Sequence, residues 1–105
     1  MSENLRNQIE EQAVIHRILS NSSRLLILCA LATQEMSVGE IAEQIGATLQ
    51  NTSQHLRLMK DKGVVESRRD GQTIFYQIAV SEIGQNCKRM LTCLETQNQS
   101  IYQEA

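Results

Sequence analysis

The spacing of apolar positions divides the chain into helical and extended stretches. Leu5, Ile9, Ala13, Ile15, Ile18 and Leu19 roughly follow a helical period, so residues 3–19 read as an amphipathic helix. Asn21, Ser22 and Ser23 supply turn and N-cap chemistry ahead of a second helix, from 24 to about 32. That stretch is apolar nearly all round, which predicts a central buried helix. Ser37-Val38-Gly39-Glu40 has the S-x-x-E form of a capping box and opens a short helix with Val38, Ile41, Ala42 and Ile45 inward. Gly46 stands where a left-handed glycine would end that helix. Thr48 can cap the next one, whose inward positions are Leu49, Thr52, Leu56 and Met59, and Gly63 ends it.

Beyond Gly63 the pattern turns extended. Residues 64–67 and 73–78 are predicted strands, joined at Asp70-Gly71, where both turn positions must accept positive φ. A last helix is predicted from about 81 to 101. Its Ile83, Cys87, Met90, Leu94, Gln97 and Ile101 are spaced 4-3-4-3-4, a packing seam. The expected class is therefore mainly α with a small β-hairpin. The order describes a winged helix-turn-helix with an extra helix at each end. Residues 37–62 form the helix-turn-helix, 64–78 the wing, and 3–19 and 81–101 the flanking dimerisation helices. All lie in one domain spanning 1–105, as a chain of 105 residues predicts.

Composition fits this picture: there is no proline to break a helix, and 41% hydrophobic with 21% charged residues is a globular balance. The polar, acidic N-terminus is unlike a secretory signal, and the apolar run LLILCALA is far too short for a membrane span. A cytoplasmic protein with three reduced thiols, no membrane partner and no C-x-x-C pair is expected. The net charge of −2 argues against nucleic acid until its distribution is considered. Residues 48–79 carry five Lys/Arg against three Asp/Glu, and the remainder five against nine. The basic excess sits on the helix before the hairpin and on the hairpin itself.

With Leu49, Thr52, Leu56 and Met59 inward, that helix turns Gln50, Asn51, Ser53, Gln54, His55 and Arg57 outward, followed by Lys60. In a helix-turn-helix the second helix enters the major groove. Gln and Asn can pair bidentately with adenine, and Arg with guanine, while Ser, Thr and Lys hold phosphates. An ordinary solvated helix face would more often carry Glu and Lys pairs. Arg68 and Arg69 precede the hairpin tip, and Gln72 and Thr73 follow it, which suits a wing that tracks the backbone or enters the minor groove.

The runs ILSNSSRLLILCALA, EMSVGEIAEQIGATLQNTSQHLRLMKDKGVV and ESRRDGQTIFYQI resemble the ArsR/SmtB family of bacterial repressors over roughly residues 15–80. The resemblance implies a homodimer built from the first and last helices. It also implies double-stranded DNA with an inverted-repeat operator as partner, and repression relieved by a small inducer. A twofold dimer places two reading helices ~34 Å apart, one turn of DNA.

The inducer is the open question. One type of family member uses a C-V-C site at the start of the third helix; Ser37 and Gly39 stand there. Another uses Asp, His and Glu on the last helix, but the histidines here, His16 and His55, lie elsewhere. No tetrahedral ligand set is legible, so neither metal nor cofactor is expected. Cys29, in ILCAL, with Cys87 and Cys93 on the last helix, is similar to the thiol-based branch that senses reactive sulfur or redox change, called BigR- or SqrR-like. That likeness implies a Cys29–Cys93 link. Relatives in the branch carry the second cysteine about two residues later, or about 200° around the helix. Cys87 lies on the seam, where a small buried hydrophobe would serve.

Two alternatives stay open. An arsenite-type metalloid could take the same three thiolates. The fold could also serve as a protein-interaction module without DNA. No nucleophile–base pair, metal triad or phosphate loop points to an enzyme.

Overall fold

The computed structural model describes residues 1–92. Helix α1 spans Glu3–Leu19, α2 Ser22–Leu31, α3 Val38–Ile45 and α4 Leu49–Asp61. Helix α5 begins at residue 82 and continues to 92, the last described residue. Strands β1 (Met36–Ser37), β2 (Val65–Asp70) and β3 (Thr73–Ile78) make one antiparallel sheet in the order β1-β3-β2. This is the expected winged helix-turn-helix with one addition. Strand β1 is two residues long, too short for any alternation to announce it.

Local chemistry fixes the helix ends. The Asn21 side chain accepts from the Arg24 amide at 3.1 Å and starts α2. The capping box of α3 is complete: Ser37 Oγ accepts from the Glu40 amide at 3.2 Å, and Glu40 Oε1 accepts from the Ser37 amide at 3.1 Å. Those bonds hold the Glu40 carboxyl below its ordinary value. Gly46, at φ +71°, ends α3 in the left-handed conformation, and Ala47 N–H closes back on Ala42 O at 3.0 Å. Thr48 Oγ1 then accepts from the Asn51 amide at 3.0 Å, so only three residues separate α3 from α4.

Arg24 fixes the corner between α1 and α2, which meet at 95°. Its Nε donates to Ile18 O and its terminal nitrogen to Arg17 O, both at 3.0 Å. One side chain from the start of α2 thereby bonds two carbonyls at the end of α1, a helix end short of intrahelical partners, and Arg17 O also accepts from Ser20 Oγ at 2.8 Å. The core beneath joins Ile15 and Ile18 of α1, Ile27 and Leu28 of α2, Ile41 of α3, and Leu56 and Met59 of α4. The chain enters and leaves the wing through buried Val64, Val65 and Ile78. Helix α5 returns to this core through Cys87 and Leu91. It passes so close to the wing's exit that a Cβ on Gly84 would lie 2.3 Å from Ala79 O.

Four expectations need correction. Helix α2 is not buried all round: Leu26 is 49% exposed and Cys29 is exposed, because Ser22, Leu26 and Cys29 form the stripe that turns away from α3, α4 and β3. Leu49 is 59% exposed, because residues 48–51 are all exposed and the first turn of α4 projects beyond the body. The hairpin turn is Gly71-Gln72. Asp70 pairs with Thr73 in the ladder, and Gly71 alone takes a positive φ, +64°. The seam on the last helix splits: Ile83 and Cys87 pack into the chain's own core, and Met90 is 46% exposed. Cys93, Leu94, Gln97 and Ile101 lie outside the described residues.

Candidate nucleic-acid interface

Helix α4 presents its polar face because its apolar face is pinned. Thr52, Leu56 and Met59 are fully buried, and Thr52 Oγ1 donates to Thr48 O at 2.8 Å, so its hydroxyl is satisfied. This leaves Gln50, Asn51, Gln54, Arg57 and Lys60 exposed and Ser53 and His55 half-buried. From Gln50 to Lys60 no carboxylate interrupts that surface. Thr48, Gln50, Asn51 and Gln54 line a shallow polar concavity at its leading end. The arrangement can donate and accept hydrogen bonds toward a flat, patterned edge.

His55 turns toward the body. Partial burial, together with the Arg24 guanidinium, holds its imidazole below the ordinary value of 6.5. The same arginine that fastens α1 to α2 therefore also acts on the back of α4.

The two wing arginines part company. Alternation along β2 sends Arg68 to the outer face, opposite Phe75, and Arg69 to the inner face, opposite Ile74. The Arg68 guanidinium lies 4.6 Å from the Phe75 ring centroid. It reaches across β3 to Glu35, just before β1, with Nε 2.9 Å from Oε2 and a terminal nitrogen bonded to Oε1. Arg69 is exposed, and among the described residues it makes no side-chain hydrogen bond or ion pair. Ile74 lines a groove between the wing and the starts of α3 and α4, together with Val38, Gly39, Leu49, Gln72 and Thr73. Sequence reasoning missed Glu35. Its partner is 33 residues away, and no local pattern marks it.

The sensing candidates are placed unevenly. Cys29 is exposed on α2, while Cys87 is fully buried and its thiol is pushed up by that burial. Among the described residues no group of three His, Cys, Asp or Glu side chains is arranged to hold a metal ion. No single helix there is long and apolar enough to cross a membrane.

Known proteins match this chain closely. Residues 21–67 fit the family described as bacterial regulatory protein, arsR family. A biofilm growth-associated repressor of Xylella fastidiosa is 34% identical over 90% of this chain and 83% of its own length. The HTH-type transcriptional regulator KmtR of Mycobacterium tuberculosis is 41% identical over 68% of this chain, a match that spans 55% of that regulator. Among solved structures, a homodimeric winged helix-turn-helix DNA-binding domain from Mycobacterium bovis superposes with a TM-score of 0.79 at 28% identity. That match covers 100% of this chain and 94% of that one.

Proposed function

The chain belongs to the ArsR family of winged-helix transcription regulators, and from that premise we propose that it is a homodimeric repressor that binds an inverted-repeat operator and releases it on thiol modification. The observation that carries the DNA reading is the α4 surface, which is polar, exposed and free of carboxylates from Gln50 to Lys60. Gln50, Asn51, Gln54 and Arg57 read base edges in the major groove. Ser53 and Lys60 hold the backbone, while His55, half-buried against the body, stays behind that surface.

The dimer reading rests on apolar surface that one chain leaves uncovered. Leu5 and Ile9 are 44% and 49% exposed on α1, and Met90 is 46% exposed on α5. A second copy covering α1 and α5 would bury them and set two reading helices on one site. Repression, as opposed to activation, follows the Xylella repressor.

The sensor reading rests on Cys29. Its exposure makes it reachable by a reagent, whereas the buried Cys87 is shielded and its thiol resists ionisation. A Cys29–Cys93 link would form as two thiols give up two electrons and two protons to a persulfide or peroxide. The test is mass spectrometry of the reduced protein after such treatment, with each product titrated on the DNA upstream of its own gene. A Cys29–Cys93 crosslink with lost binding is expected. Stoichiometric arsenite retention that releases DNA would move the reading to a metalloid sensor.

A further inference from the structure

We infer that the adjacent wing arginines have separate roles: Arg69 meets the DNA backbone, while Glu35 withholds Arg68 from it and uses it to brace the wing against the reading head. The inference rests on the DNA-binding reading and deepens it.

Three observations converge on the brace. Register puts Arg68 of β2 opposite Phe75 of β3 and Phe75 opposite Ser37 of β1, and Glu35, two residues before Ser37, shares that outer face. The guanidinium covers the ring of the middle strand and bonds both carboxylate oxygens beyond it, so one side chain reaches from β2 over β3 to the residue that precedes β1. Strand β1 runs without a break into α3, since Ser37 is both its last residue and the N-cap of that helix. The brace thus ties the wing to the segment that starts the helix-turn-helix. A phosphate claiming Arg68 would have to displace a carboxylate that Arg68 itself keeps ionised. Arg69 faces the opposite side of the hairpin, where its neighbour Ile74 borders the groove toward α3 and α4.

Exposed ion pairs add little to folding, so the discriminating readout is DNA affinity against salt and not thermal stability. Arg69→Ala, Arg68→Ala, Glu35→Ala, the Glu35/Arg68 double alanine variant and the exchanged pair (Glu35→Arg with Arg68→Glu) would be titrated on the duplex upstream of the gene. Arg69→Ala should flatten the log–log salt slope by about 0.9 per wing. Arg68→Ala and Glu35→Ala should each weaken operator binding by roughly three- to fivefold with the slope unchanged, the scale of a surface pair. The double variant should be no worse than either, and the exchanged pair should recover affinity. A flatter slope for Arg68→Ala, tighter binding by Glu35→Ala, or equal affinity for all variants would overturn the inference while leaving DNA binding intact. Salt-independent binding by the parent protein would overturn both readings.

Discussion

The helix-turn-helix and the flanking helices solve the problem of apolar surface in opposite ways. In α3 and α4 the inward side chains find cover within one chain: Ile41, Leu56 and Met59 have no exposure, and what faces out is polar apart from Leu49 at the start of α4. In α1 only the last turns are treated so. Ile15 and Ile18 are buried, while residues 1–10 are all exposed and Leu5 and Ile9 stand in the open among them. The stripe of α2 with Leu26 and Cys29 is exposed as well. The helix-turn-helix covers its apolar side within a single subunit, and the flanking helices leave apolar side chains exposed.

The sharpest way to break the first half of this contrast is Leu56→Ala. Its side chain has no exposure, so loss of about 2–5 kcal/mol in denaturant unfolding is expected, with DNA binding lost alongside. A cost below ~1 kcal/mol would mean the helix-turn-helix does not cover its apolar side as described. The second half is tested by Leu5→Ser with Ile9→Ser. Each half-exposed side chain is worth on the order of 1 kcal/mol once covered, and a twofold dimer carries four, so dimerisation should weaken by several hundredfold. Far-UV circular dichroism should show the fold retained, since neither side chain belongs to the core. If the double variant sediments as the parent does, α1 is not the dimer surface.

Smaller effects sharpen the reading surface. Gln54→Ala or Arg57→Ala should each cost about 1–3 kcal/mol of discrimination between operator and scrambled duplex, with little change in unfolding. Thr48→Ala removes the α4 cap and should cost about 0.5–2 kcal/mol of stability, read from the denaturation midpoint.

The smallest effect expected is that of pH on His55. Its folded value lies below the 6.5 of the unfolded chain, so the unfolded state takes up the proton first. Stability from this group is complete above pH 6.5 and is lost as pH falls through the depressed folded value. His55→Gln should flatten that part of the stability profile. An unchanged profile would show that Arg24 and burial do not act on the imidazole.

The same contrast explains what could be read in the sequence. The helix-turn-helix was legible because its instructions are local: S-x-x-E, Gly46 and Thr48 each act within four residues, and each does what its position implies. The face of α4 followed from period alone, except at Leu49, where helical phase is right but the body has already ended, and at His55, expected outward but half-buried against the body. The wing's second strand lies where expected, at Thr73–Ile78, while the first, expected over 64–67, runs Val65–Asp70. The wing's turn shifted by one residue because strand pairing continues through Asp70. Glu35 was not legible at all, since an ion pair across a three-stranded sheet leaves no periodic trace. The described part of the α5 seam packs, but its partner was not legible for a related reason. A 4-3 spacing shows that a helix packs, but not whether it packs against its own core, and Cys87 packs against its own.

The central claim is that the polar face of α4 and the wing bind duplex DNA as a dimer. It is tested most directly by titrating the protein onto a labelled duplex from upstream of its own gene, at a series of salt concentrations. The account predicts two chains per site and a log affinity that falls linearly with log salt. It also predicts that Gln54→Ala or Arg57→Ala reduces the preference for that duplex over a scrambled one. Salt-independent or absent binding by a folded, dimeric protein would contradict it and would make this winged helix a surface for protein partners.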